Sequence, residues 1–167
     1  WRFDVNVFGL NQFYRNRLVR CYLGATRWQP GKRTPHKYTT FDKDDDLALS
    51  TLTHALAAQS PYRGPFPILN GTLNLGGSAD LSLHTRHGTS FTMTPLRCGA
   101  ARAAVGYAPP RVTLGEAASI SGAAASPNMG YDTSPLVSFL LTMFNVRLGW
   151  WFPNPGRKRR RWSVIPE

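Results

Sequence analysis

The spacing of apolar and polar positions changes period several times along the chain, and each change predicts an element. Between Asn11 and Leu23, Phe13, Tyr14, Leu18, Cys21 and Tyr22 fall largely on one broad helical face, which predicts a first helix stopped by Gly24. From Trp28 to Asp46 the residues are polar, proline-containing and aperiodic, so a long loop is expected. After Pro61 and Pro67 the chain alternates. Ile68, Asn70, Thr72 and Asn74 point one way and Leu69, Gly71, Leu73 and Leu75 the other, the period of a strand, with Gly76-Gly77 as its end. A second strand is predicted over Ser90–Thr94, before Pro95, and the pattern leaves open whether the two strands pair directly.

Thr113-Leu114-Gly115-Glu116 has the spacing of a capping box and predicts a helix from Thr113 to Ala125. Its side chains are small (Ala117, Ala118, Ser119, Ser121, Gly122, Ala123, Ala124, Ala125), which allows close approach to a sheet or helix. That helix is expected to pack on one sheet containing both strands. Ser126-Pro127-Asn128-Met129-Gly130 breaks the chain, and Ser134-Pro135 reads as an N-cap with proline at the first helical position of a helix of about ten residues. Strands mixed with helices of this length predict an α/β architecture.

A chain of 167 residues, 42% of them hydrophobic, is long enough for one domain with a real core. Cys21 and Cys98 are expected as two buried, reduced thiols. The net charge of +11 implies a polyanionic partner, nucleic acid or the anionic face of a bilayer. The cations concentrate at Arg15, Arg17 and Arg20; at Lys32, Arg33 and Lys37; and in the run Arg157–Arg161, which marks residues 156–167 as a basic tail or linker. The apolar stretch Leu136–Trp151 is interrupted by Ser138, Thr142, Asn145, Arg147 and Gly149, short of the roughly 20 apolar residues of a spanning helix. A start at Trp1, with neither methionine nor signal peptide, predicts a fragment.

Motifs that carry chemistry are sparse. Asp42, Asp44 and Asp46 alternate as in a calcium loop, but Leu47 and Thr53 stand where its glycine and glutamate are required; a solvated acidic turn, capping a short helix around Ser50–Ala58, is expected instead. Gly76-Gly77-Ser78 is the nearest approach to a nucleophile elbow, and Ala79-Asp80 do not complete it. His36, His54, His84 and His87 lack metal-site spacing, and neither cysteine belongs to a C-x-x-C. The residues by themselves assign no active site and no metal site.

Longer strings say more. Ile120-Ser-Gly-Ala-Ala-Ala-Ser-Pro-Asn-Met-Gly-Tyr131 and Phe144-Asn-Val-Arg-Leu-Gly-Trp-Trp151 resemble the large bacterial branch of the patatin-like phospholipases. Phe13–Ala25 and Pro67–Leu75 resemble the same proteins in the same order, so the likeness spans residues 1–155. It implies an internal segment of a three-layer α/β/α hydrolase, in which a Ser-Asp dyad cleaves a lipid ester without cofactor or metal. The elbow serine would precede this segment and the aspartate, in an Asp-Gly turn, would follow it. None of the seven aspartates here is followed by glycine, so no catalytic residue is expected within the chain. The resemblance places Ser126, Asn128 and Met129 near substrate at the exit of the small-residue helix. It also implies a lipid ester substrate, an anionic membrane surface as partner, and membrane association on the cytoplasmic side of a bacterium. Asp132 stands where the family favours histidine, so no role carries over to it. The competing classes are a basic nucleic-acid-binding module and a non-catalytic structural module; no RNP-like, KH or helix-turn-helix pattern supports the former.

Overall fold

The computed structural model describes residues 6, 9–27, 29, 31, 33–53, 62–75, 88–100, 112–123, 125–129 and 133–151. Helix α1 (Leu10–Leu18) runs without a break into a π-helical turn, Val19–Leu23, and a 3-10 turn, Gly24–Arg27. The expected helix is therefore present, but its buried face is not the aromatic one. Asn11 and Val19 are buried, whereas Phe13 is 59% and Tyr22 70% exposed. The wider π turn changes the angular step from Val19 onward, so the α-helical period no longer places Cys21 and Tyr22. Cys21 is exposed on this turn and only Cys98 is buried, which corrects the expectation of two buried thiols.

Strands β1 (Leu69–Asn74), β2 (Gly88–Met93) and β3 (Cys98–Ala100) form an antiparallel sheet in that order. The two expected strands pair directly, with Leu69 opposite Met93 and Asn74 opposite Gly88. The alternation in β1 is the expected one: Leu69, Gly71 and Leu73 are half-buried, and Asn70, Thr72 and Asn74 are exposed. Strand β3 is three residues long, too short to leave a period in the sequence. Thr94 builds the turn before it, since its amide donates to the Arg97 carbonyl (2.9 Å) and its hydroxyl accepts from the Arg97 amide (3.0 Å).

Helix α2 (Leu114–Ser121) begins at the predicted cap, with Thr113 Oγ1 accepting from the Glu116 amide at 3.2 Å. It ends at Gly122 rather than at Ala125, because glycine is a poor helix former and nothing downstream restores the hydrogen-bond ladder. One side of α2 lies on β1, where Ile120 Cγ2 is 3.5 Å from the position a Cβ would take on Gly71. The other side meets α1. Leu49, Leu52, Met93, Cys98, Val112 and Ala117 form the core, with Tyr62, Leu69, Phe91, Leu114 and Ile120 against it. Leu49 and Leu52 lie just after the expected loop, next to and within the expected short helix; they enter the core where Leu49 N donates to Val112 O (2.9 Å) and Leu114 N to Leu47 O (2.7 Å). The short helix expected around Ser50–Ala58 is a 3-10 turn over Leu49–Thr51, and residues 54–60 lie outside the described set.

Helix α3 (Pro135–Met143) starts with proline in its first turn after Ser134. Its C-terminus closes as a Schellman motif. Asn145 takes a left-handed φ of 50°, its amide donates to Thr142 O (3.1 Å), and the Val146 amide donates to Leu141 O (2.8 Å). The described residues thus form a mixed α/β arrangement, and none of their helices is long and apolar enough to cross a membrane.

The tightest contact is between α2 and the π turn that follows α1. A Cβ on Gly115 would overlap Val19 Cγ2 and stand 3.0 Å from both Asp46 carboxylate oxygens. Alanine is the better helix former by about 1 kcal/mol, yet overpacking costs about 1–3 kcal/mol, so Gly115→Ala is expected to lower stability in urea titration. Val19→Ala in the Gly115→Ala background should recover part of the loss. A stabilised Gly115→Ala would contradict this packing.

Candidate functional site

The residues expected near substrate, Ser126, Asn128 and Met129, lie in one half-buried turn, whose position is set by long-range hydrogen bonds. Asn74, at the end of β1, donates through Nδ2 to the Asn128 carbonyl at 2.7 Å. Thr133 closes the turn: its hydroxyl accepts from the Met129 amide (3.0 Å) and donates to Asn128 Oδ1 (3.3 Å). On the other side, Leu148 N donates to Ala125 O at 2.8 Å. Ser126 Oγ lies 3.2 Å from the position of a Cβ on Gly149, a separation that favours glycine there. The turn is thereby wedged between the end of β1 and the strap that follows α3.

Two asparagines hold that strap. Asn11, 1% exposed, donates through Nδ2 to Leu148 O at 2.6 Å. Asn6 makes a reciprocal pair with Trp151, accepting from its amide at 2.9 Å and donating to its carbonyl at 3.1 Å. The strings 120–131 and 144–151, distant in sequence, therefore meet in space through Ala125 and Leu148. Neither Asn6 nor Asn11 is recognisable beforehand, since each acts on backbone more than 130 residues away and leaves no local pattern.

Chemically, the turn offers hydrogen-bonding groups and a thioether but no nucleophile paired with a base. None of the described serines donates to a histidine or a carboxylate. Thr113 Oγ1 does donate to Asp46 Oδ2 at 2.8 Å, but that hydroxyl caps α2 and the carboxylate also accepts from Arg15 Nη2 (2.6 Å) and the Gly115 amide (2.9 Å). Ser78, His54, His84, His87, Asp132, the Arg157–Arg161 run and the boundary at residue 156 lie outside the described residues. Among those described, no group of three His, Cys, Asp or Glu side chains could hold a metal ion.

The acidic stretch is not a solvated turn. Asp42 and Asp45 are 3% and 1% exposed, and Asp45 takes Arg27 Nη1 at 3.0 Å and Arg33 Nε at 3.1 Å. Asp42 accepts from the amides of Asp44 (3.0 Å) and Thr34 (2.7 Å), which hold its carboxyl below the usual range, helped by Arg27 and Arg33. Hydrogen bonding to Asp45 raises Arg33 above its ordinary value. The expectation failed because arginines 12 to 31 residues away reach carboxylates that have no partner in local sequence. Gly24, with φ of −61°, is likewise no left-handed helix stop. A Cβ there would lie 2.8 Å from Asp45 Oδ2 and 3.0 Å from Arg33 Nη2, so a side chain at 24 would make the ion pair shift.

Between α1 with its π turn and α2 lies an open, almost wholly apolar cavity of about 390 Å³, lined by Tyr14, Leu18, Val19, Tyr22, Leu114 and Ala118 among others. Burial pushes the Glu116 carboxyl of α2 up, against the pull of the Thr113 amide and of Arg15. Comparison of the chain with protein-family models, with curated proteins and with solved structures gives no match.

Two opposite pH effects follow. Asp42, depressed in the fold, stabilises above its ordinary value of 3.8, and this is lost as pH falls through the lower folded value. Glu116, raised in the fold, holds its proton more tightly than the unfolded chain, so stability declines as pH rises from 4.5 through the folded value. Glu116→Gln, which keeps a capping-box residue, should flatten the second limb of a Tm-against-pH curve and leave the acid limb in place. Asp46→Ala should cost about 3 kcal/mol in urea titration, the low end for a broken buried pair because Arg15 keeps 22% of its side chain exposed. A loss below about 0.5 kcal/mol would show that Asp46 does not hold α1 to α2.

Proposed function

We propose that residues 1–155 are the internal part of a lipid acyl hydrolase with a patatin-like three-layer α/β/α fold, followed by a basic tail at 156–167. One observation carries the reading: the strings Ile120–Tyr131 and Phe144–Trp151, joined in the same order by Phe13–Ala25 and Pro67–Leu75. The comparisons add nothing to it. Contact between the two most specific strings, through Leu148 N and Ala125 O, is consistent with their serving one region of the protein.

In this reading the serine and the aspartate of the dyad lie outside the chain. Serine attacks the ester carbonyl, aspartate takes its proton, and glycine-rich backbone amides hold the oxyanion. No metal or cofactor enters. The part played here is positional: the turn bearing Ser126, Asn128 and Met129 borders the lipid ester, anchored through Asn74, Thr133 and Leu148. The partner is an anionic membrane surface on the cytoplasmic side of a bacterium, where each nearby Lys or Arg contributes about 1 kcal/mol. A nucleic-acid partner is disfavoured because Arg15, Arg27 and Arg33, drawn from two of the three basic clusters or their neighbourhood, are engaged by Asp45 and Asp46 inside the fold.

The purified chain should give no turnover of a short-chain nitrophenyl ester above background. The same protein extended through its flanking coding sequence should turn over, and alanine at a glycine-flanked serine upstream should abolish that. Flanks with no such serine and no Asp-Gly pair would falsify the reading. So would hydrolysis by the present chain that depends on one of its own serines.

A further inference from the structure

Helix α3 is apolar, locally well specified and facing the wrong way for a water-soluble surface. At about 100° per residue, Phe139, Met143, Leu136, Leu140, Phe144, Val137 and Leu141 follow one another around an arc of roughly 200°, leaving Ser138 and Thr142 on the remaining side. An ordinary surface helix would bury that arc. Here Leu136 is 69%, Phe139 63%, Met143 65% and Phe144 67% exposed, and no residue of α3 is buried. Ser138 and Leu141 are the half-buried members, so the helix rests on the edge of its polar side and turns the centre of its apolar side outward. Pro135 and the Schellman close at Asn145 define both ends by local bonds, but nine residues are too few for a helix to persist in water without cover. A contiguous apolar patch of this kind marks an interaction surface.

The composition around the patch selects the occupant. From Thr133 to Pro166 the chain has no Asp or Glu, while Arg147, Arg157, Lys158, Arg159, Arg160 and Arg161 are all cationic. The same stretch holds Trp150, Trp151 and Trp162, three of the five tryptophans, and Trp151 is 68% exposed. Lys and Arg combined with Trp, Phe and Leu is the chemistry of an element that lies in the interface of an anionic bilayer. A second copy of this chain would bring like charges together, and a nucleic acid has no use for a helix face whose large exposed groups are Leu136, Phe139, Leu140 and Met143.

We propose that the outward face of α3, led by Leu136, Phe139 and Met143, lies in the plane of an anionic lipid surface with its side chains in the interfacial zone, while the cations that follow α3 in the sequence attract the headgroups. This deepens, and rests on, the membrane partner proposed above. It does not require the hydrolase assignment, because the exposure of α3 is independent of the strings behind that assignment.

Co-sedimentation with vesicles of phosphatidylcholine, with and without phosphatidylserine, at low and high salt tests it. The full chain should bind the anionic vesicles, and part of the binding should survive high salt because hydrocarbon is buried. Phe139→Asp should weaken binding by about tenfold or more with Tm unchanged, and Leu136→Ser should act in the same direction. An environment-sensitive probe on Phe139→Cys, in a Cys21→Ser background, should shift to the blue only when anionic vesicles are added. Binding that is lost at high salt and indifferent to both α3 variants would overturn the role of α3 and leave the membrane partner standing. Absence of binding to any vesicle would overturn both. A dimer in solution that Phe139→Asp dissociates, or a probe already shielded before lipid is added in the protein extended through its flanks, would show that protein covers the face and would overturn the proposal.

Discussion

The arrangement depends on one buried carboxylate. Asp46 accepts from Arg15 on α1, from the Thr113 hydroxyl at the cap of α2 and from the Gly115 amide in its first turn. Two segments about 100 residues apart in sequence, α1 and the start of α2, are thereby fixed to a single group. Its neighbour Asp45 joins the end of the first helical run, through Arg27, to the following loop, through Arg33. Charges removed from water on this scale are costly, and the cost is met only if each lone pair has a donor, which is why the geometry around Asp46 is so closely occupied. The glycines at 24 and 115 belong to the same constraint. Each leaves room for a carboxylate to approach backbone where a methyl group would block it.

Once α1 is held against α2, the remaining order follows by contact. Val19 closes on Gly115, α2 presents Ala117 and Ile120 toward the core and β1, and the Leu47–Leu49 segment is drawn alongside Val112 and Leu114. The strap after α3 is fastened by Asn11 and Asn6 and bonds Ala125, next to the turn that Asn74 holds at the end of β1. That strap positions the turn of Ser126, Asn128 and Met129. It also leaves α3 on the outside with its hydrocarbon toward solvent, so the element with the most apolar sequence contributes least to the core. Apolar content and burial part company here because a helix is buried by what covers it, and among the described residues nothing buries the side chains of α3.

The distribution of charge has the same character. A count of +11 describes the field at a distance, but the cations are not equivalent at the surface. Arg15, Arg27 and Arg33 hold the fold together, Arg17 lies over the Phe13 ring at 4.8 Å, and Arg20 reaches the Thr39 carbonyl. Long stretches carry cations with no Asp or Glu among them, residues 5–41 and residues 133–166 included, and in the first of these Arg15, Arg27 and Arg33 are engaged by carboxylates of the fold. The second contains α3 and three of the five tryptophans, so hydrocarbon and cation are paired there in the sequence.

Local chemistry wrote much of this into the sequence. The alternation of β1, the Thr113–Glu116 cap, the proline start of α3 and the helical character of Asn11–Leu23 were all legible, because each is set by interactions within a few residues. So was the turn at Ser126–Met129, though its neighbours were not. Tertiary structure alone decided that Asp42 and Asp45 are buried, that Cys21 is exposed, that Leu49 is core and that α3 faces outward. The reason is the same each time. A carboxylate is solvated or paired according to whether a guanidinium arrives from 12 or 31 residues away, and a helix face is inside or outside according to what packs on it; neither relation can be read from neighbours in the sequence.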